Sequence, residues 1–127
     1  VHPLVNAWTT SNLHAGQFSA ACGVLLSRSD LTSPEDLASV FTCEPTGSLV
    51  QRRRIVWNDG QATALPLSGH QEWLASTDPW FRPVNLIEGP DQAIYVVDMY
   101  RAVIEHPQWV PDELKKRPDA RHGDDRG

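Results

Sequence analysis

Short apolar runs, each closed by turn-forming residues after roughly ten positions, are what most limits the folds open to this chain. No stretch sustains the apolar spacing of a long amphipathic helix, so the regular structure available is a set of short strands and the chain reads as all-β. FSAACGVLLSR (18–28), SVFTCEP (39–45), LVQRRRIVW (49–57) and QATALPLS (61–68) are four successive strands. The polar loop at 29–37 joins the first two, and Ser33-Pro34-Glu35-Asp36 within it is suited to opening one helical turn. Thr46-Gly47-Ser48 turns the second strand into the third. Asn58-Asp59-Gly60 turns the third into the fourth, a strong hairpin signal because all three residues tolerate positive φ. Four consecutive antiparallel strands make one meander.

A connector, GHQEWLASTDPWFR (69–82), follows, with Asp78-Pro79 as a stop. A second strand pair runs through PVNLIEG (83–89), turns at Pro90-Asp91-Gln92 and returns as AIYVVDMY (93–100). Both faces of the returning strand are apolar, which predicts a strand buried on both sides. VPDELKKRPD (110–119) predicts a short helix, with Pro111 early, Asp112 and Glu113 in its first turn, Lys115 and Lys116 late and Pro118 to end it. A meander followed by half of another predicts about one and a half four-stranded blades of a β-propeller. Residues 1–127 are then a partial propeller domain, with a blade at 18–68, a connector at 69–82, a half blade at 83–100, and a loop and short helix at 101–127. The opening Val1-His2-Pro3 and the closing Asp124-Asp125-Arg126-Gly127 read as the ends of an excised piece, with the outer strands of the second blade expected beyond Gly127.

A net charge of −5 argues against nucleic acid as a partner, since phosphate binding needs clustered Lys and Arg. The one basic run, Arg52-Arg53-Arg54, reads as the solvated face of a strand. No apolar run approaches the roughly 18 residues that span a bilayer. Five Trp against three Phe and two Tyr is Trp-rich. Trp80 and Trp109 flank a polar cluster, where Trp either offers a flat surface to a sugar or fills a core with its N–H satisfied.

Cys22 and Cys43 are the two cysteines. Setting them opposite each other on antiparallel strands centres the intervening turn in Leu31-Thr32-Ser33-Pro34. A cross-strand disulfide is therefore expected, closing a loop of roughly 20 residues worth about 3 kcal/mol in the chain-entropy model and implying export. The alternative is two small buried hydrophobes. There is no Cys-x-x-Cys spacing for zinc and no Cys-x-x-Cys-His for haem attachment.

Catalytic signatures such as Gly-x-Ser-x-Gly, a Gly-rich phosphate loop or His-Glu-x-x-His are also missing from the sequence. What remains is a constellation that the second hairpin brings to one end: Asp78, Trp80 and Arg82 before its first strand, Asp98, Tyr100 and Arg101 after its second, then Glu105 and His106. As a catalytic set, Asp98 or His106 is the base, while Arg82 and Arg101 orient an oxygen-rich substrate or stabilise developing negative charge. Asp78, Trp80, Tyr100 and Glu105 are then the substrate-binding residues. As a structural set, the same groups form an ion-pair network tying one blade to the next, with His106-Pro107 as a rigid turn. His2, His14, His70 and His122 read as surface residues. No metal-ligand set is expected.

DPWFRPVNLIEGPDQAIYVVDMYRAVIEHPQWVPDEL (78–114), with SAACG (19–23) and FTCEPTGSLVQR (41–52), resembles the PVC-type membrane-bound dehydrogenases, large exported bacterial proteins with a β-propeller, helical repeats and a cytochrome c domain. The similarity covers about 110 of the 127 residues in order and spacing. The Gly-Pro-Asp-x-x-hydrophobic-Tyr-Val-x-Asp segment is shared with glucose/sorbosone dehydrogenase and NHL-type propellers. Gln92 stands where the family usually has Gly after that Asp, a departure that leaves the turn feasible. The resemblance implies a propeller that oxidises a sugar or alcohol and passes electrons to haem c in a separate domain. It also allows calcium or pyrroloquinoline quinone as cofactor, the remaining blades as partners, and an exported, periplasmic or membrane-associated place through the parent protein. A non-catalytic propeller, acting as a carbohydrate-binding or protein-docking platform, is the competing reading.

Overall fold

The computed structural model describes residues 1–5, 17–28, 38–66, 69, 71–104, 106 and 108–120. Expectations for the loop at 29–37, for Glu105 and Pro107, for His14, His70 and His122, and for the polar tail at 121–127 lie outside the described residues. The described chain is all-β with one short helix. Strands β1 (Cys22–Leu26), β2 (Ser39–Glu44), β3 (Leu49–Asn58) and β4 (Gln61–Pro66) form an antiparallel meander in the order β1-β2-β3-β4. Strands β6 (Pro83–Glu88) and β7 (Ile94–Asp98) form a separate antiparallel hairpin.

Local chemistry sets most of this. Asn58 pairs with Gln61 across two residues, Asp59 and Gly60, whose φ values of 49° and 79° suit a right-twisted hairpin. The turn after β2 is a 3₁₀ turn over Pro45–Gly47, closed by Ser48 in the left-handed region. Gln92 also adopts a left-handed conformation (φ 64°), so the Gln-for-Gly departure leaves the Gly89–Gln92 turn intact, with the Gln92 N–H donating to the Gly89 carbonyl. The connector holds a strand that the sequence pattern did not predict, β5 (Leu74–Ala75). It pairs with Leu49 and Val50, beside the part of β3 that β4 leaves uncovered. The helix is a single turn, α1 (Asp112–Lys115), anchored by the fully buried Leu114.

The core lies between the two sheets. Phe41, Cys43 and Val50 from the meander meet Leu86 from β6, with Leu25, Leu74, Ile94 and Val96 packed around them. Burying Phe41 or Leu86 contributes on the order of 2 kcal/mol each. Trp73 caps Phe41 edge-on, with ring centroids 4.8 Å apart.

The sheets converge at β1 and β6, which run side by side in the same direction. Cys22 lies against the Pro83 carbonyl, Gly23 against Val84 and Asn85, and the Ser27 hydroxyl donates to Glu88 at 3.1 Å. At the far side of the meander every residue of β4 is exposed. The hairpin therefore sits against β1 and β2, and β4 lies outside the contact between the sheets.

Two expectations are corrected. Strand β7 is covered on one face only: Val96 and Ile94 face the core, but Tyr95 and Val97 are 51% and 48% exposed. Apolar residues on both faces imply two sheets to cover them, and one is present among the described residues. The second correction concerns the cysteines. Cys22 and Cys43 are register partners, as the turn position predicted, yet both are free thiols. A bulge between Cys22 and Val24, with Gly23 at φ 48°, twists the strand there, and the Cys22 sulfur sits 4.0 Å from the Pro83 carbonyl oxygen.

Burial pushes the Cys43 thiol up from 9.0 to about 11, with Cys22 adding to the shift. Burial, then the nearby Glu44 carboxylate, raises Cys22 too. Near pH 8 the two-unit shift leaves about a hundredfold less Cys43 thiolate than an ordinary thiol has. Alkylation of folded protein, followed by mass spectrometry, is expected to label Cys43 at least a hundredfold more slowly than in denaturant. Because the folded state holds this proton more tightly, the associated stability is intact below pH 9.0 and is lost as the pH rises to about 11. Rapid labelling of folded Cys43 at pH 8 would contradict this environment.

Candidate functional site

The hairpin brings most of the polar constellation to one end, as its geometry requires. Pro83 pairs with Asp98, and the Met99 N–H donates to the Arg82 carbonyl at 3.1 Å. The entry to β6 and the exit from β7 are therefore neighbours.

Arg82 is the centre of this cluster and is only 3% exposed. Its guanidinium points into the seam between the two sheets. Nη1 donates to the Pro45 carbonyl at 2.7 Å and reaches the Ser48 hydroxyl at 3.5 Å. Nε donates to the Arg101 carbonyl at 3.1 Å and Nη2 to the Ala102 carbonyl at 2.9 Å. Three backbone carbonyls, one from the turn after β2 and two from the segment after β7, thus converge on one side chain. Burial lowers its pKa and Arg117 adds to that, while Asp98 and Asp78 oppose it.

The carboxylates of the cluster hold main chain. Asp98 Oδ1 accepts from the Arg82 N–H at 2.8 Å and the Tyr100 N–H at 2.9 Å. The second bond supports Tyr100 in the left-handed region (φ 46°). Asp78 Oδ1 accepts from the Trp80 N–H at 2.8 Å, and the Asp78 carbonyl from Phe81, fixing the turn that delivers Arg82. Trp80 packs against Tyr100 with ring centroids 5.6 Å apart, and its indole hydrogen-bonds to Asp119. Asp119 is itself forked onto Arg117, at 2.8 and 2.6 Å, and that pair holds its carboxylate below the usual range. Arg101 meets Arg82 through its carbonyl.

His106 is the exposed member of the set. It is exposed on a turn in which its carbonyl accepts from the Trp109 N–H at 2.8 Å, and its Nδ1 from the Gln108 N–H at 3.3 Å. Trp109 on the same turn is 70% exposed. The eight expected residues thus divide in two, apart from Glu105, which lies outside the described residues. Asp78, Trp80, Arg82, Asp98, Tyr100 and the Arg101 main chain interlock, while His106 faces outward.

Sequence reasoning missed Glu44, a fully buried carboxylate on the other side of the same turn. Its Oε2 accepts from the Ser19 and Ala20 N–H groups at 3.1 and 3.2 Å, and Oε1 from the Thr46 N–H at 3.2 Å. The Pro45–Gly47 turn is thus gripped by an anion on one side and a cation on the other. The available signal was a charge ending the apolar run SVFTCEP directly before Pro-Thr-Gly, where a carboxylate can cap the turn's free N–H groups.

Among the described residues no three His, Cys, Asp or Glu side chains converge as a metal site would require. Among them, too, no helix is long and apolar enough to cross a membrane.

No curated protein and no solved structure matches the chain. A family profile does, over residues 1–127, and the chain belongs to that family: a domain of unknown function (DUF7133).

Proposed function

We propose that this chain is a section of a β-propeller that serves as a binding platform, and that its interior polar cluster locks neighbouring sheets together. The observation that carries the reading is Arg82. A guanidinium that is 3% exposed, with donors on three backbone carbonyls, has the partners of a clamp and not of a substrate-binding group. The close side-by-side approach of β1 and β6 supports the propeller, because blades radiating from an axis converge at their innermost strands. The surface offered to a ligand is the turn at 106–109. There the exposed Trp109 shares a turn with the exposed His106 and Gln108, a combination of side chains suited to a sugar.

The exposure of His106 favours a second reading, in which the parent protein is an exported dehydrogenase that oxidises a sugar or alcohol. Electrons would pass to a cytochrome c domain outside this chain, with the remaining blades completing the site. In that reading His106 is the residue of the constellation best placed to meet a substrate.

One experiment separates the two. The complete protein is assayed for dye-linked oxidation across sugars and alcohols, with and without calcium and pyrroloquinoline quinone. Sugar binding is followed in parallel by calorimetry. The platform reading expects binding to fall at least tenfold in Trp109→Ala, with no turnover affected by His106→Ala. Turnover abolished in a folded His106→Ala protein establishes the dehydrogenase instead. Absence of binding to any sugar removes the carbohydrate platform.

A further inference from the structure

Cys22 and Cys43 stand opposite each other on β1 and β2, yet their sulfurs are not joined. Directly opposed residues of antiparallel strands have Cα atoms about 4.5–5.5 Å apart, inside the range of about 4.4–6.8 Å that a disulfide spans. The backbone register therefore already meets the main requirement for the bond. The two sulfurs also sense each other, since charge on Cys22 adds to the rise in the Cys43 pKa. What separates them is the direction of the Cys22 side chain, whose thiol lies 4.0 Å from the Pro83 carbonyl oxygen across the seam between β1 and β6. A thiol is a weak donor, so little opposes its release.

We infer that Cys22 and Cys43 form a reversible dithiol–disulfide couple, and that closing it draws Cys22 off the β6–β7 hairpin and onto the meander. The oxidant is a second disulfide, of a small thiol or of a protein. Cys22, the half-buried member, reacts first, because Cys43 is fully buried. Its thiolate breaks the incoming S–S bond, forms a mixed disulfide and expels one thiolate. The Cys43 thiolate then attacks the Cys22 sulfur, forms the Cys22–Cys43 bond and expels the second. Two electrons pass from the pair to the oxidant, and the two protons given up by the cysteines end on the departing thiols. Burial raises both thiol pKa values, with Glu44 adding at Cys22. The surroundings that oppose a thiolate there do not oppose the product, because a disulfide carries no charge. The movement reaches the other sheet through Gly23, the bulge residue next to Cys22. A Cβ on Gly23 would lie 2.6 Å from the Val84 carbonyl oxygen and the Asn85 Cα, so β1 and β6 touch backbone to backbone. Pulling Cys22 toward Cys43 shifts that contact and loosens the start of β6, beside the Arg82 clamp. The inference goes beyond what the surface binds and stands in both readings of the function.

The complete protein is equilibrated in glutathione buffers from fully reduced to fully oxidised, quenched in acid, alkylated and digested with trypsin. Cleavage after Arg28 parts the two cysteines, leaving Cys22 on the peptide that ends at Arg28 and Cys43 on the peptide 29–52. In oxidising buffer the two peptides are expected to be linked, and to part again when the protein is returned to reducing buffer. The ratio of linked to free pair is expected to be about tenfold or more higher in folded than in denatured protein in the same buffer, because the register holds the cysteines together. Hydrogen exchange of the amides at 84–88 is expected to be about threefold or more faster in the linked form than in the reduced form. Cys22→Ser, checked for folding by circular dichroism, is expected to exchange at the same rate in both buffers. If that variant unfolds, Cys22→Ala takes its place. Cysteines that stay unlinked in every buffer overturn the inference, as does a linked ratio no higher than in denatured protein. A linked form whose β6 amides exchange as slowly as in the reduced protein overturns the movement of Cys22, and so does a buffer-dependent change in the Cys22 variant.

Discussion

Arg82→Ala is expected to lower the unfolding free energy by about 3–5 kcal/mol, enough to remove much of the stability of an ordinary domain. The substitution leaves the Pro45, Arg101 and Ala102 carbonyls without their donor inside a closed seam. Each unsatisfied buried group costs about 1–3 kcal/mol, and water entering the vacated space recovers part of that. Arg82→Lys keeps the charge but replaces a planar fork with a single ammonium. One centre cannot reach carbonyls that approach Nε, Nη1 and Nη2 from different directions, so a loss of about 2–3 kcal/mol is expected. Urea unfolding gives both numbers, and the order wild type, Lys, Ala is the diagnostic result. Equal stability of Arg82→Ala and wild type would mean that the guanidinium is not a clamp, and the catalytic reading of Arg82 would return.

The same residue shows how far a sequence can be read. That Arg82 would meet the segment at 98–101 was legible, because a hairpin with its turn at 90–92 must bring its two open ends together. What it would do there was not legible. Its third carbonyl belongs to Pro45, 37 residues away in the turn between β2 and β3, and nothing local to either segment encodes that approach. Glu44 escaped notice for the same reason, since two of its three partners, Ser19 and Ala20, are 25 and 24 residues distant.

Periodicity shares this limit. In AIYVV the alternation correctly signals a strand with two apolar faces, but it cannot report whether both are covered within the same chain. Turn chemistry reads better because it is local. Asp59-Gly60 fixed the β3–β4 register, and the Leu31–Pro34 loop correctly implied that Cys22 and Cys43 stand opposite each other. The bulge at Gly23 then altered what that juxtaposition means for the two sulfurs.

Gly23 is where a single methyl group is expected to do the most damage. A Cβ built there would lie 2.6 Å from both the Asn85 Cα and the Val84 carbonyl oxygen, and these are backbone atoms that cannot swing aside. The residue also sits at φ 48°, a conformation that costs an L side chain about 1–2 kcal/mol. Overpacking adds about 1–3 kcal/mol, so Gly23→Ala is expected to destabilise by about 2–5 kcal/mol in total. Gly60 supplies the control, because it has a φ of 79° but nothing within 4 Å of its added Cβ. Gly60→Ala therefore carries the conformational cost alone, about 1 kcal/mol. The difference between the two variants in chemical denaturation isolates the contact between β1 and β6. A difference of 1 kcal/mol or more places that contact among the determinants of how the sheets meet. If the variants lose the same amount, the close approach at Gly23 does not constrain the fold, and the convergence of the sheets must be held by the Arg82 seam and the Leu86 core.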